Sequence, residues 1–204
     1  MKLAIKVDGK TYKTEPKNVE KAFEKFGSDV VKSGRAILSK EEKRASGKLF
    51  DSFHYKYFEK KNTVNIEFKF GAAENYWRFV DAGVKGSGGY KGSGRARGSG
   101  SPFSFGSKQP PSRVIKSWMQ TRNIQQGRDK KGRFISNDSL AFLIARSIKQ
   151  RGLPRTLFFT KAVEQHNRTW EKKLQKAWEK DLTFLWEKKI PKTILTVEYG
   201  TLNL

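Results

Sequence analysis

The chain has no cysteine. That excludes disulfides, thiolate metal sites and a cysteine nucleophile, and it fits a reducing compartment without requiring one. It has two histidines, His54 and His166, which fall on different expected elements beside aromatic and lysine residues. They read as surface or boundary residues rather than as a catalytic dyad. Long apolar runs are also missing. The longest, Leu140–Ala145, is six residues, far below the roughly 20 that a bilayer-spanning helix needs. The opening Met1-Lys2-Leu3-Ala4-Ile5-Lys6 holds no apolar stretch of signal-peptide length. Acidic residues are scarce: 20 Asp and Glu against 43 Lys and Arg leave a net charge of +23. They are scattered singly or on helix faces such as Glu41-Glu42, so no acidic metal cluster is expected. There is no HExxH, GxSxG or GxxxxGK[ST] pattern, and Lys85-Gly86-Ser87-Gly88-Gly89 lacks the spacing of a phosphate loop. No catalytic residue, metal or cofactor is expected.

What is present suits a folded chain with a polyanionic or self-associating role. Fifteen Phe, six Tyr and five Trp are too many aromatics for a disordered chain. A length of 204 residues is one domain's worth and enough for a real core. So large a positive charge points to polyanionic partners rather than to chemistry.

The N-terminus alternates, with Leu3, Ile5 and Val7 on one side, then turns at Asp8-Gly9 and returns through Thr11-Tyr12-Lys13, which is a hairpin pattern. Pro16 suits the first turn of a helix over about 17–38, whose apolar face is Val19, Phe23, Phe26, Val30 and Ile37. Gly27 and Gly34 weaken that helix on propensity alone. Ser39-Lys40-Glu41-Glu42 reads as a capping box for a further helical segment. Over 54–70 the period becomes two: Val64, Ile66, Phe68 and Phe70 alternate with polar residues, and Lys60-Lys61-Asn62 is the turn. A short helix is expected over Asn75–Ala82. A helix opens at Pro110-Pro111. A third hairpin spans Asn123–Ser136 with Asp129-Lys130-Lys131-Gly132 as its turn. Asn137-Asp138 caps a helix Ser139–Arg151 that ends at Gly152. A long helix over about 160–189 and a last strand around Ile194, Leu195 and Val197 close the chain.

The composition breaks over 83–107, where nine of the eighteen glycines lie. Such a segment cannot order itself, and a loop this long inside a domain is usually functional. From Ala82 to Arg128 there is no Asp or Glu. Lys85, Lys91, Arg95 and Arg97 make this loop basic, and Phe103 and Phe105 re-anchor its end. Three readings stand side by side: a solvated loop, an arm that touches DNA phosphates, and an arm that orders against a neighbouring subunit. Free in solution it is expected to be mobile and cut by trypsin at Lys91, Arg95 and Arg97. On the last helix Trp170, Trp178 and Trp186 recur every eight residues and share a broad face. Core packing is the ordinary reading of that face, and a subunit interface is the functional one.

Four further segments follow the patterns of one protein family. Ser46-Gly47-Lys48-Leu49-Phe50-Asp51-Ser52-Phe53 is similar to that family's segment from first helix to sheet. Tyr76-Trp77-Arg78-Phe79-Val80-Asp81-Ala82-Gly83 is similar to its aromatic–acidic–glycine signature, which a Gly-rich loop usually follows. Pro110-Pro111-Ser112-Arg113-Val114-Ile115-Lys116-Ser117-Trp118 resembles the proline–isoleucine–tryptophan helix of one branch. Ser139–Ile148 with Gly152-Leu153-Pro154 and Leu157-Phe158-Phe159 resembles that branch's closing segment. Together the four segments resemble the neck and tail-completion proteins of tailed bacteriophages, the head–tail joining and minor tail type; the likeness covers roughly 17–165, and the long basic loop and everything after 165 depart from it.

The resemblance implies an α+β fold, a curved sheet with a long helix packed on it; with the alternating segments of this sequence, the expected sheet is mostly antiparallel, drawn from 2–14, 54–70 and 193–199 and packed with the long N-terminal helix, plus further helices and the Gly-rich basic loop. Read from the residues, the chain is a single domain 1–204, with 83–109 a flexible basic loop or arm and 160–204 a C-terminal helix and strand. The resemblance implies a structural virion protein without catalysis, assembled in the host cytoplasm as a homo-oligomeric ring of six-fold or twelve-fold symmetry between portal-side and tail proteins. Membranes and small-molecule substrates have no part in it. The alternative is a basic, DNA-associated protein acting through charge alone.

Overall fold

The computed structural model describes residues 3–7, 9–40, 47–60, 63–88, 100–124 and 127–189. The class is α+β, with a long N-terminal helix and antiparallel strands. Strand β1 (Leu3–Val7) pairs antiparallel with β2 (Lys10–Thr14), with Ile5 opposite Tyr12, around Gly9 at φ +77°. Helix α1 (Lys17–Lys40) and the short α2 (Lys48–Ser52) follow. Strands β3 (His54–Lys60) and β4 (Thr63–Lys69) form the second ladder. Then come α3 (Trp77–Ala82), β5 (Val84–Lys85), α4 (Ser112–Thr121), α5 (Asn137–Arg151), β6 (Gly152–Leu153) and α6 (Phe158–Lys189), with β5 antiparallel to β6. The described strands make three two-stranded ladders. The expected strand 193–199 and the Glu41-Glu42 half of the expected capping box lie outside the described residues. No helix among the described residues is long and apolar enough to cross a membrane.

The chain forms two compact units. The first comprises Met1–Asp29, Tyr55–Phe68 and Glu164–Leu204, the second Val30–His54 and Lys69–Val163. Helices α1 and α6 each contribute a part to both.

In the first unit, Asp181 closes the N-terminus of α1. Its carboxylate accepts from Asn18 N at 3.1 Å, Asn18 Nδ2 at 2.7 Å and Val19 N at 2.9 Å. The first turn of a helix has N–H groups without internal partners and a partial positive charge, so an anion there satisfies both. Trp170 of α6 packs on Phe23 and Phe26, with ring centroids 4.9 and 4.7 Å apart. Ala177, Asp181 and Leu185 form the buried stripe of α6 at helical spacing.

The second unit has an aromatic core. Phe53, Phe70 and Phe158 are fully buried. Phe53 stacks on Phe70 at 4.9 Å, Phe70 stacks on Trp77 at 4.0 Å, and Phe158 meets Phe53 edge-on at 5.8 Å. Each such ring removed from water stabilises the fold by about 1.5–3 kcal/mol. Phe70, expected as the last residue of the alternating strand, sits just past the end of β4 and belongs to this cluster.

The two helix glycines have a steric reason. A Cβ on Gly34 would stand 2.7 Å from the Phe53 ring, inside the second unit. A Cβ on Gly27 would stand 2.5 Å from the Tyr55 ring, inside the first. Propensity alone marks both as weak points of α1, whereas each is where a ring approaches the helix backbone.

A second, smaller core joins α4 to α5: Ile115 and Met119 against Ala141 and Ala145, with Ile124, Leu140, Ile144 and Ile148 around them. Helix α5 is capped one residue earlier than expected, by Ser136, whose hydroxyl accepts from Ser139 N at 3.2 Å. It ends at Gly152, φ +85°, with Lys149 and Arg151 in its last turn.

Candidate functional site

The most informative place in the second unit is the junction of 76–83 with 152–160. Asp81 is the only carboxylate of the aromatic–acidic–glycine signature, and it is buried. Its Oδ1 accepts from Phe159 N at 2.8 Å and Thr160 N at 3.4 Å, and its Oδ2 from the Thr160 hydroxyl at 2.6 Å. These donors belong to the first turn of α6, so Asp81 is its cap. The backbone repeats the join: Thr156 N donates to Val80 O at 3.2 Å and Leu157 N to Asp81 O at 2.9 Å. With that cap in place α6 starts at Phe158, ahead of the 160 expected from periodicity.

Gly83 follows at φ +73°, a left-handed conformation that glycine adopts without strain. A side chain there would also press on the Leu153 carbonyl, 2.7 Å from an added Cβ. Gly86 likewise abuts the Gln150 carbonyl. Ser101, buried, donates from its hydroxyl to Gly83 O at 2.7 Å and accepts from Phe103 N at 3.0 Å. Lys85 N donates to Phe103 O at 2.8 Å, and Phe105 N to Lys85 O at 3.0 Å. Lys149 Nζ donates to Ser107 O. The two described ends of the Gly-rich stretch, 83–88 and 100–109, are therefore fastened to each other and to the end of α5.

The expected contact residues divide accordingly. Lys85 is exposed on β5, while Phe103 and Phe105 are half-buried. Those two rings, with Tyr76, Phe79, Val84 and Pro154, line an apolar cleft of about 720 Å³. Phe79 meets Phe103 edge-on at 4.6 Å. Burial raises the Tyr76 phenol above its ordinary pKa. Lys91, Arg95 and Arg97 lie outside the described residues. Of the three tryptophans, Trp170 packs on Phe23 and Phe26, Trp178 is half-buried and Trp186 is 43 % exposed. A step of eight advances about 80° around a helix at 3.6 residues per turn, so the three drift from the buried stripe toward solvent. The histidines fall in different units, with His54 Nδ1 2.7 Å from Ser52 O. Among the described residues no group of three His, Asp or Glu could hold a metal ion.

Two surface features go beyond the sequence reading. On α4 and α5, Val114 (56 % exposed), Trp118 (38 %), Phe142 and Leu143 (both 47 %) leave apolar side chains in solvent; Leu143, expected on the buried apolar face with Leu140, Ile144 and Ile148, is instead exposed. The second is the hairpin Gly127–Ile135, held by an antiparallel bridge between Arg128 and Phe134. Its turn was legible from Asp129 and Gly132, but its side-chain arrangement was not. Arg128 lies 4.0 Å from the centre of the Phe134 ring, and Phe134 is 65 % exposed.

The second unit carries the charge. Its described residues include twenty Lys and Arg, against Asp51, Glu74, Asp81, Asp129 and Asp138. No protein-family model matches the chain, and no curated protein or solved structure is significantly similar to it.

Proposed function

We propose that the protein is a structural component of a tailed-phage virion, a neck, tail-terminator or tail-completion subunit working without catalysis in a homo-oligomeric ring between head and tail. The observation that carries this reading is the mutual packing of the four segments on which the resemblance rests. Phe53 of the first meets Phe158 of the last. Asp81 of the second caps the helix that begins at Phe158. Ile115 of the third packs on Ala141 and Ala145 of the fourth. Four short patterns spread over more than a hundred residues thus depend on one another physically, as a shared fold requires. The signature carboxylate is engaged in capping, which suits a fastener rather than a reagent. The large apolar side chains left exposed on α4 and α5 are surface that a subunit contact would bury. In a ring each contact joins two different patches of the same chain.

The test is mass by light scattering, with negative-stain imaging, in the presence of portal and tail-tube proteins. Closed rings are expected. A protein that stays monomeric with every neck and tail partner supplied refutes the reading.

A second reading, a DNA-associated protein acting by charge, is favoured by the excess of Lys and Arg in the second unit. It predicts monomers that coat duplex DNA with a steep salt dependence.

A further inference from the structure

We propose that the hairpin Gly127–Ile135 is a docking point for the phosphate backbone of duplex DNA, engaged without reading sequence. The turn is built rigidly for so short a segment. Asp129 Oδ1 accepts from Lys131 N and Arg133 N, both at 2.9 Å, and Asp129 Oδ2 accepts from Arg133 Nε at 2.9 Å. Backbone bonds from Asp129 N to Arg133 O (2.9 Å), Gly132 N to Asp129 O (3.0 Å) and Ile135 N to Gly127 O (2.9 Å) close it. Those donors hold the Asp129 carboxyl below the usual carboxylate range, so it stays charged and matches Arg133.

Three cations remain. Arg128 is laid against the Phe134 ring and donates from Nη1 to Gly132 O at 2.8 Å. That uses one of its five N–H donors and fixes the plane of the guanidinium, the geometry that binds a phosphate through two donors. Lys130 and Lys131 are exposed at the tip, with no side-chain partner among the described residues.

Arg128 to Lys131 spans at most about 10 Å of chain, a length over which the facing strand of a duplex presents about three phosphates. Three clustered cations, one of them a pre-set fork, match that density. The approach is basic as well: from Gly100 to Arg128 the described residues include Lys108, Arg113, Lys116 and Arg122 and no acid. Lys116 is paired with Asp138 at 2.8 Å.

The inference rests on the virion reading for the source of the duplex, and the two fail separately. Loss of rings with DNA binding intact removes the first, and rings with no hairpin effect on DNA binding remove the second. The experiment uses the intact protein and a fluorescent 20-base-pair duplex, with anisotropy followed across a salt series. The variant Arg128→Gln/Lys130→Gln/Lys131→Gln is compared with Lys172→Gln/Lys173→Gln/Lys176→Gln, three exposed lysines on α6 that remove the same charge. The log–log salt slope is expected to fall by about 2–3 units in the hairpin variant, about 0.9 for each phosphate that is no longer neutralised, and by less than about one unit in the control. Should the hairpin variant fail to fold, Lys130→Gln/Lys131→Gln, which touches only exposed side chains, carries the test with an expected change of about 2 units. Equal slope changes in hairpin and control variants overturn the proposal. So does polyglutamate that binds as tightly as the duplex with the same dependence on the hairpin, which would assign the tip to an acidic protein partner.

Discussion

Replacing Gly34 with alanine sets two principles against each other. Inside a helix, alanine is favoured over glycine by about 0.8–1 kcal/mol, so propensity predicts a more stable protein. The structure predicts the reverse. The new Cβ would stand 2.7 Å from Phe53 Cε1, whereas carbon atoms pack best at about 3.5–4.0 Å. The ring must therefore retreat by about 1 Å. It has no room to do so: Phe53 is fully buried, stacked on Phe70 and edge-on to Phe158 and Phe159. Overpacking of this kind costs about 1–3 kcal/mol, and loosened ring pairs cost about 0.5–1.5 kcal/mol each. The net expectation is a loss of about 1–2 kcal/mol, or about 2–8 °C in melting temperature for a chain of this size. Urea unfolding followed by fluorescence measures it. A double-mutant cycle sharpens it: Phe53→Leu destabilises on its own, but Gly34→Ala added to it should cost about 1 kcal/mol less than it does alone. A Gly34→Ala protein as stable as the parent, or additivity within the cycle, refutes the steric account.

The two buried aspartates allow a similar comparison. Asp81→Ala removes the cap of α6 and leaves buried donors unpaired, so a loss of about 3 kcal/mol is expected by denaturant unfolding, while Asp81→Asn, which keeps one acceptor, should lose less. Asp181→Ala uncaps α1 and should cost about 2 kcal/mol, with amide exchange at Asn18 and Val19 accelerated ahead of the rest of the chain. The Tyr57 phenol is pushed up to about 12 by burial and then by the charges of Glu20 and Glu59. The unfolded chain, titrating near 10, releases this proton first, so the contribution is intact below pH 10 and is lost as pH rises toward 12. Alkaline unfolding of Tyr57→Phe should therefore begin at higher pH, and an unchanged midpoint contradicts the assignment.

Periodicity carried the helices well, because one face of each is buried. Val19, Phe23, Phe26 and Val30 place α1, and Leu140, Ile144 and Ile148 place α5, within a few residues of their ends. The turn at Gly9 and the Asp129–Gly132 turn were legible from residue type alone. What was illegible depends on partners distant in sequence. Asp181 and Asn18 are 163 positions apart, and no local window links a carboxylate near one end of the chain to a helix start near the other. Asp81 looked like an ordinary signature position, and its role appears only when the Thr160 hydroxyl lies beside it. Gly34 reads as a defect until Phe53 is seen against it. Alternation gives a strand its two faces but not its neighbours beyond the hairpin, so the grouping of strands could not be read either. The candidate site divides the same way. Composition marks 83–107 as one basic loop, whereas its described ends are fixed by Ser101, Phe103 and Phe105.

The charge of the second unit also means more than its sum. An even mixture of basic and acidic side chains on a surface leaves little field, because neighbours screen one another. Here most of the few acids are engaged inside the unit. Asp81 is buried in a helix cap, Asp129 holds a turn and one arginine, Asp138 is paired with Lys116, and Glu74 accepts from the Trp77 indole at 3.4 Å. These acids keep their charge and still count against the cations, but five of them against twenty Lys and Arg leave a large positive excess among the described residues. The remaining cations present a net positive field whose reach is set by the Debye length, about 8 Å at physiological salt. In the ring proposed above those fields would sum around the axis, along which the proposed duplex would pass. Attraction at that density would hold a moving strand if every cation were fixed against a phosphate. A few pre-set contacts, as at the Arg128 hairpin, among many hydrated lysines suit a surface that guides duplex DNA and lets it slide.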